Sequence, residues 1–362
     1  MEVEMRIVQN FLPICITTCC AAIWSSYAES APPRTPAVRI AGALDRARLI
    51  DRLASLLERN YFDPVIGRRY AVELRTRYAD GAYMGVESDA RLADVITADL
   101  QKVSPDRHLR IAARKGFHAP RRLGDDVPAS ATAVGPPGLE AAQMLPGNIA
   151  YLRFNEFPDD PATADKARSF LLLHGDAKAV VIDCRPNRGG GMGVMDAILP
   201  LFFDRTAVQV RVDTRATADA RSPTGPEPTL VRRSSPPGIV RYDHVITPDS
   251  RERRLRGTPL YYLTSRRTAS AAEHMALGLK RNRRAVVIGE VTAGANHFGD
   301  EVPVGSGMLV FLPVGRSYDP STGRDWEGVG IAPDVRVPAD DALKIALRLI
   351  RDGRAGARPK SP

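Results

Sequence analysis

Residues 258–279 read TPLYYLTSRRTASAAEHMALGL. The apolar, aromatic run Leu260–Thr264 predicts a short buried strand, Ser265–Thr268 a tight polar turn, and the segment from Ser270 an amphipathic helix. A hydroxyl at such a turn sits beside unpaired helix N–H groups and the positive end of the helix dipole, both of which stabilise a developing oxyanion. Ser270 and Glu273 also spell S-x-x-E, a capping box that would only start the helix. The segment alone leaves both readings open.

Working outward, the runs IAYLRF (149–154), AVVIDC (179–184) and RAVVIGE (284–290) alternate with helical patterns. Buried strands that alternate with helices predict an α/β core with parallel pairing. After AVVIDC comes Asn187-Arg188-Gly189-Gly190-Gly191. Glycines there let backbone N–H groups approach a substrate oxygen, or simply make a tight strand-to-helix turn. The polar, proline-rich stretch 213–256 is expected to be a long surface excursion, followed after the opening segment by a strand pair (301–313) and a last helix (340–351). Upstream, apolar residues at helical spacing predict three short helices: one through Leu53 and Leu57, one carrying Val65, Tyr70 and Leu74, and one carrying Leu92, Ile96 and Leu100. They suggest a small bundle over 41–113, closing at Asp106-Arg107-His108 before a strand-like LRIAAR. Residues 114–147, rich in Gly, Pro and Ala, are expected to link it to a core at 148–352, with 353–362 a disordered basic tail.

The first 28 residues have a secretory pattern, an apolar run ending in small residues at Ala28, which predicts a signal peptide and export to the periplasm or beyond. Gln9, Asn10 and Pro13 break that run and argue against a permanent span, so membrane association would come only through an N-terminal lipid anchor at Cys19 or Cys20. Cleavage would leave Cys184 as the single cysteine, with no intrachain disulfide. The 362 residues are 44% hydrophobic and 26% charged, as in a globular protein, and the net charge of +9 is spread along the chain rather than gathered into a nucleic-acid-binding arm. No H-E-x-x-H, cysteine pair or P-loop is visible, so no metal, nucleotide or other cofactor is expected.

The ordered motifs AVVIDCRPNRGGG, YYLTSRRTASAAEHMALGLKRNRRAVVIGEVTAGA and EGVGIAPDVRV, preceded by LLERNYFDP and LADVITADLQKVSPDRHLRI, resemble the tail-specific, or C-terminal processing, serine proteases. Within that family the chain is most similar to the branch of the tricorn core protease and the repeats of interphotoreceptor retinoid-binding protein. The resemblance covers most of 45–350 and implies a crotonase-like spiral of β-β-α units behind a helical bundle. It implies Ser270 as nucleophile, with the backbone N–H of Ala271 and of Gly189 or Gly190 as oxyanion donors. The general-base lysine of the bacterial and chloroplast enzymes would fall near Ala295, so a Ser–Lys dyad is excluded at its usual place. The tricorn-like pattern instead matches His108 as base and Glu327 as the glutamate that orients the site; the lesser reading of Glu327 is a surface carboxylate beside a turn. Arg107 stands where that pattern has a relaying serine, leaving Ser104 or a water as substitutes. His297, in the loop from which the lysine normally reaches, is the second candidate base. Residues 114–147 are too short for the PDZ module common in the family. The resemblance implies an exported serine peptidase acting on peptides or unfolded polypeptides. Its alternative is a non-catalytic protein binding retinoids, fatty acids or peptides on the same fold.

Overall fold

The computed structural model describes residues 36–113, 138–219 and 228–353. Gly42 onward forms one compact unit. Helix α1 (Pro36–Asn60) is followed by α2 (Pro64–Ala79) and α3 (Asp89–Val103). Asp63 caps α2, accepting the N–H groups of Val65 and Ile66 at 2.8 and 3.1 Å, with Pro64 in the first turn where its missing N–H costs nothing. Val65 is not on the packed face as the spacing predicts, being 56% exposed. A Cβ on Gly67 would lie 2.6 Å from the Leu57 carbonyl oxygen, so α2 crosses α1 at this glycine and turns Gly67, Tyr70, Ala71 and Leu74 inward.

The chain continues through β1 (Arg110–Ala113), β2 (Leu139–Leu145), β3 (Ile149–Phe154), α4 (Pro161–Leu173), β4 (Ala179–Asp183) and α5 (Gly193–Ile198). Next come β5 (Ala207–Arg215), the short α6 (Ala216–Asp219), β6 (Leu230–Arg233), β7 (Ile239–Ile246), β8 (Leu260–Thr264) and α7 (Ala271–Arg281). The described chain ends with β9 (Val286–Gly289), β10 (Phe298–Gly305), β11 (Met308–Tyr318), β12 (Val335–Arg336) and α8 (Ala342–Arg351).

One sheet runs β12-β9-β8-β4-β3-β2, parallel except for the β2–β3 pair. Alternate strand residues go to opposite faces. Leu152, Val180, Ile182 and Tyr262 pack with α4, α5 and α7, while Tyr151, Val181, Tyr261 and Leu263 pack with α8. Cover on both faces explains the continuous apolar runs of the parallel strands. The other sheet is antiparallel, β1-β11-β5-β7-β6, with β10 also on β11. Helices α1–α3 bury Leu53, Leu57, Leu74, Ile96 and Leu100 against Ile111, Met308, Val310 and Leu312 of that sheet.

The expected bundle is therefore not set apart: β1 pairs with β11 from Arg110↔Phe311 to Ala113↔Met308, so the helical segment and the strands share one core. Two further expectations change. The end of the expected linker is a strand, since β2 pairs with β3 from Leu139↔Phe154 to Leu145↔Ile149; residues 114–137 lie outside the described residues. The expected surface excursion contains β6 and β7, because its charged residues pair across strands. Asp243 takes Arg211 at 2.6 Å and Arg233 at 2.7 Å, and Asp213 takes Arg241 at 2.6 Å. Residues 1–28 and 354–362, read as signal peptide and tail, lie outside the described residues. Among those described, no helix is long and apolar enough to cross a membrane, and Cys184 is buried and free.

Candidate active site

The turn between β8 and α7 is fastened to the end of β4. Ser265 Oγ donates to the Arg185 carbonyl at 2.6 Å, Thr268 Oγ1 to the Cys184 carbonyl at 2.8 Å, and Ala269 N–H to the Asn187 carbonyl at 3.0 Å. The next residue, Ser270, has φ +53° and ψ −120° and is partly exposed. A non-glycine residue held there is strained, as is common where a side chain must be presented from a strand-to-helix turn.

The glycine run faces this serine. A Cβ on Gly189 would stand 2.7 Å from Ser270 Cβ and 3.2 Å from its Oγ, and one on Gly190 would stand 1.8 Å from the Phe157 carbonyl oxygen. Both have positive φ, +108° and +124°, so only glycine fits. The two expected oxyanion donors separate here. Gly189 N–H is spent on Asn187 Oδ1 at 2.8 Å. The N–H groups of Gly190 and Ala271 have no partner among the described residues.

Glu273 does more than cap. Its buried carboxylate accepts Ser270 N–H at 2.9 Å and also Thr292 Oγ1, Gly294 N–H and Ala295 N–H at 2.5, 2.7 and 2.8 Å. Burial raises its pKa to about 7. The 292–297 loop is thereby bound to the helix of the serine, with Ala295 buried and no lysine at that point. The far end of the loop is held by Glu327, which accepts Asn296 N–H at 2.7 Å and Arg107 N–H at 3.2 Å.

His108 and His297 flank Glu327, their Nδ1 atoms 3.9 and 4.0 Å from its Oε2. His108 Nδ1 is shut off from solvent without a hydrogen-bond partner, and burial lowers this imidazole below its ordinary value despite Glu327 and Asp106 nearby. His297 is buried too, but its Nδ1 meets Asp106 Oδ2 at 2.9 Å; burial acts to lower it, and that carboxylate outweighs burial and leaves it raised. Asp106 in turn is opposed by burial yet lowered by His297, while Tyr61 Oη donates to it at 2.7 Å. Its other oxygen accepts the N–H groups of His108 and Leu109 at 2.8 and 3.1 Å.

His108, His297 and Glu327 are thus brought together, and Ser270 meets the glycine run at the other end of the same loop. Among the described residues no hydrogen bond joins the Ser270 hydroxyl to either imidazole. Asp106 and the reach of Glu273 were missed from the sequence; the one available signal was the Asp-x-His spacing, which suits a carboxylate bonding N–H groups two and three residues on. Asp106, His297 and Glu327 offer ligand atoms within 4.8 Å of one another. Both Asp106 oxygens and Glu327 Oε2 already accept N–H or O–H donors.

The family profile described as Peptidase family S41 matches residues 148–337, and that described as the N-terminal domain of Peptidase S41 in eukaryotic IRBP matches 44–145. Carboxyl-terminal-processing peptidase 2, chloroplastic, of Arabidopsis thaliana is 26% identical over 200 residues, 54% of this chain and 34% of its own. The C-terminal processing peptidase, chloroplastic, of Tetradesmus obliquus is 29% identical over 207 residues, covering 57% and 38%. The matches span little more than a third of these relatives' length. The solved photosystem II D1 C-terminal processing protease superposes with TM-score 0.54 at 19% identity, over 84% of this chain and 97% of its own. The tricorn protease gives TM-score 0.51 at 14% identity, over 86% and 37%. The mixed α/β fold is shared with both.

Proposed function

The chain belongs to peptidase family S41, and on that premise we propose that it is an exported serine peptidase that hydrolyses peptide bonds in peptides or unfolded polypeptides. The observation that carries this reading is the strained Ser270 set against a glycine run, with the Gly190 and Ala271 N–H groups uncommitted beside it. Ser270 Oγ attacks the scissile carbonyl carbon and His108 takes its proton. The oxyanion lies between the N–H groups of Gly190 and Ala271, and His108 returns the proton to the leaving amine before water releases the acyl group. The low proton affinity of His108 keeps it neutral and able to accept. Glu327, 3.9 Å from its Nδ1 and beyond hydrogen-bond reach, acts on the ring by its charge, and Arg107 stands where the pattern has the relaying serine.

A second assignment of the base has its own support: His297 is held by Asp106 at 2.9 Å, the carboxylate–imidazole half of a triad. His108 ranks first because burial keeps it neutral, whereas Asp106 favours the protonated form of His297, which cannot accept. The crotonase-like spiral and cleavage of residues 1–28 belong to the same proposal.

A fluorophosphonate probe tests it. The wild type is expected to label at one serine and Ser270→Ala not at all, with His108→Gln slowed by about two orders of magnitude or more. Loss on His297→Gln with His108→Gln unaffected would move the base to His297. A wild type that stays unlabelled yet binds retinol or a fatty acid would favour the binding alternative.

A further inference from the structure

Away from the proton path lies a buried chain of polar side chains. His244 Nε2 meets Asp196 Oδ1 at 2.8 Å, and His244 Nδ1 meets His274 Nε2 at 2.7 Å. Thr229 Oγ1 donates to the other Asp196 oxygen at 2.8 Å. His244 and His274 are buried, and burial pushes the His274 imidazole well below its ordinary value, which keeps it neutral. A carboxylate only accepts, so His244 Nε2 carries a proton, and a second proton lies between His244 Nδ1 and His274 Nε2. Both ring nitrogens of His244 and both oxygens of Asp196 are thereby engaged. Such networks hold packed elements in one arrangement, where an apolar contact would tolerate sliding.

What it joins is specific. Asp196 lies one turn into α5, the helix that follows the glycine run, and its N–H bonds the Met192 carbonyl at 3.0 Å. His274 lies one turn into α7, and its N–H bonds the Ser270 carbonyl at 2.9 Å. His244 comes from β7 of the other sheet and stands between them. Of the two uncommitted N–H groups, that of Ala271 opens α7, and that of Gly190 lies three residues before Gly193, the first residue of α5. Neither imidazole of the chain hydrogen-bonds the Ser270 hydroxyl.

We propose that Asp196, His244 and His274 are positioning residues that bolt α5 to α7 through β7 and so set the gap between the two oxyanion donors. This rests on the reading of Ser270 as nucleophile. An oxyanion needs both donors within about 2.7–3.1 Å, and a misplacement of about 1 Å can cost about a hundredfold in rate. His244→Leu removes both bonds while filling the space. His244→Gln is the conservative variant, because its amide can donate to Asp196 and accept from His274.

The experiment measures fluorophosphonate inactivation of the full chain, separating the maximal rate from the half-saturating concentration, beside thermal unfolding of each variant. The expected result is a maximal rate lowered about 10- to 100-fold in His244→Leu with half-saturation nearly unchanged, and largely restored in His244→Gln. Should His244→Leu not fold, Asp196→Ala gives the same readout, since the Asp196 side chain is 19% exposed and its loss opens no sealed core. A His244→Leu or Asp196→Ala protein that is less stable but inactivated as fast as the wild type overturns the bolt and leaves the nucleophile intact. A wild type that never labels overturns the nucleophile, and the bolt with it.

Discussion

Glu273 accepts the backbone N–H of Ser270 at 2.9 Å with the same carboxylate that takes Gly294 and Ala295 N–H from the 292–297 loop. A capping interaction and a loop clamp are therefore one group. The loop it clamps runs on to the backbone N–H groups bonded by Glu327, beside His108. Through Glu273 the start of α7 and the histidine side of the site are held in one frame.

Glu273→Gln should damage that frame without removing bulk. One oxygen becomes an NH2 group that faces backbone donors, leaving at least one buried N–H unsatisfied at a cost of about 1–3 kcal/mol. Urea unfolding should show that loss. Fluorophosphonate labelling of Ser270 should slow at a concentration of urea where the protein remains folded. Labelling at the wild-type rate would mean the loop does not depend on the carboxylate.

The backbone of Ser270 allows a test of strain. Its φ of +53° and ψ of −120° match the first central position of a type II′ turn, a glycine position. Ser270→Gly and Ser270→Ala both remove the hydroxyl and both should be inert to the probe. They should differ in stability, the glycine protein being the more stable by about 1–2 kcal/mol because it alone escapes the strain. Equal unfolding midpoints would indicate that the turn relaxes around alanine.

Much of this site was legible because its parts are local. The β8–turn–α7 unit announces itself through an apolar run, a polar turn and Ser270, and the family read from those motifs is the one whose profile matches. Strands β6 and β7 were not legible, because Arg211, Arg233 and Arg241 look like solvated charge until Asp243 and Asp213 are seen across the ladder. Strand β2 was hidden by its small residues, Ala141 and Ala142, which give little apolar alternation. Neither Glu273's hold on Gly294 nor Asp106's on His297 leaves a spacing signal, since each joins residues distant in the chain. Sequence could not divide Gly189 from Gly190 either; the division depends on which N–H Asn187 reaches.

Glycine substitutions separate close approach from ordinary turn geometry. Gly190→Ala puts a methyl 1.8 Å from the Phe157 carbonyl oxygen at a φ of +124°, so the run must move or the protein must lose about 3 kcal/mol or more. Gly193→Ala, at the start of α5 with nothing within 4 Å, should be neutral or stabilising by up to about 1 kcal/mol. Thermal unfolding of the two variants side by side measures this. Similar behaviour would remove the steric argument for the glycine run.

The Asp106–His297 pair should write its own pH signature on stability. His297 is raised in the folded state, so its contribution is fully present below its unfolded pKa of about 6.5 and is lost as pH rises through the folded value. Asp106 is lowered, so its contribution is present above its unfolded pKa of about 3.9 and is lost as pH falls through the folded value. Both act together between about pH 4 and pH 6.5. His297→Ala leaves Asp106 with Tyr61 and two N–H groups but no cation, and should cost about 3 kcal/mol at pH 5.5. The penalty should shrink by pH 9.5, where the wild-type imidazole is less charged. His108, lowered by burial and also by the charge of His297, rises when His297 is removed and offsets part of the penalty at acid pH. Denaturant midpoints of the two proteins at these pH values give the comparison; a penalty that stays constant, or grows toward alkaline pH, would mean the two side chains meet as a neutral hydrogen bond and not as an ion pair.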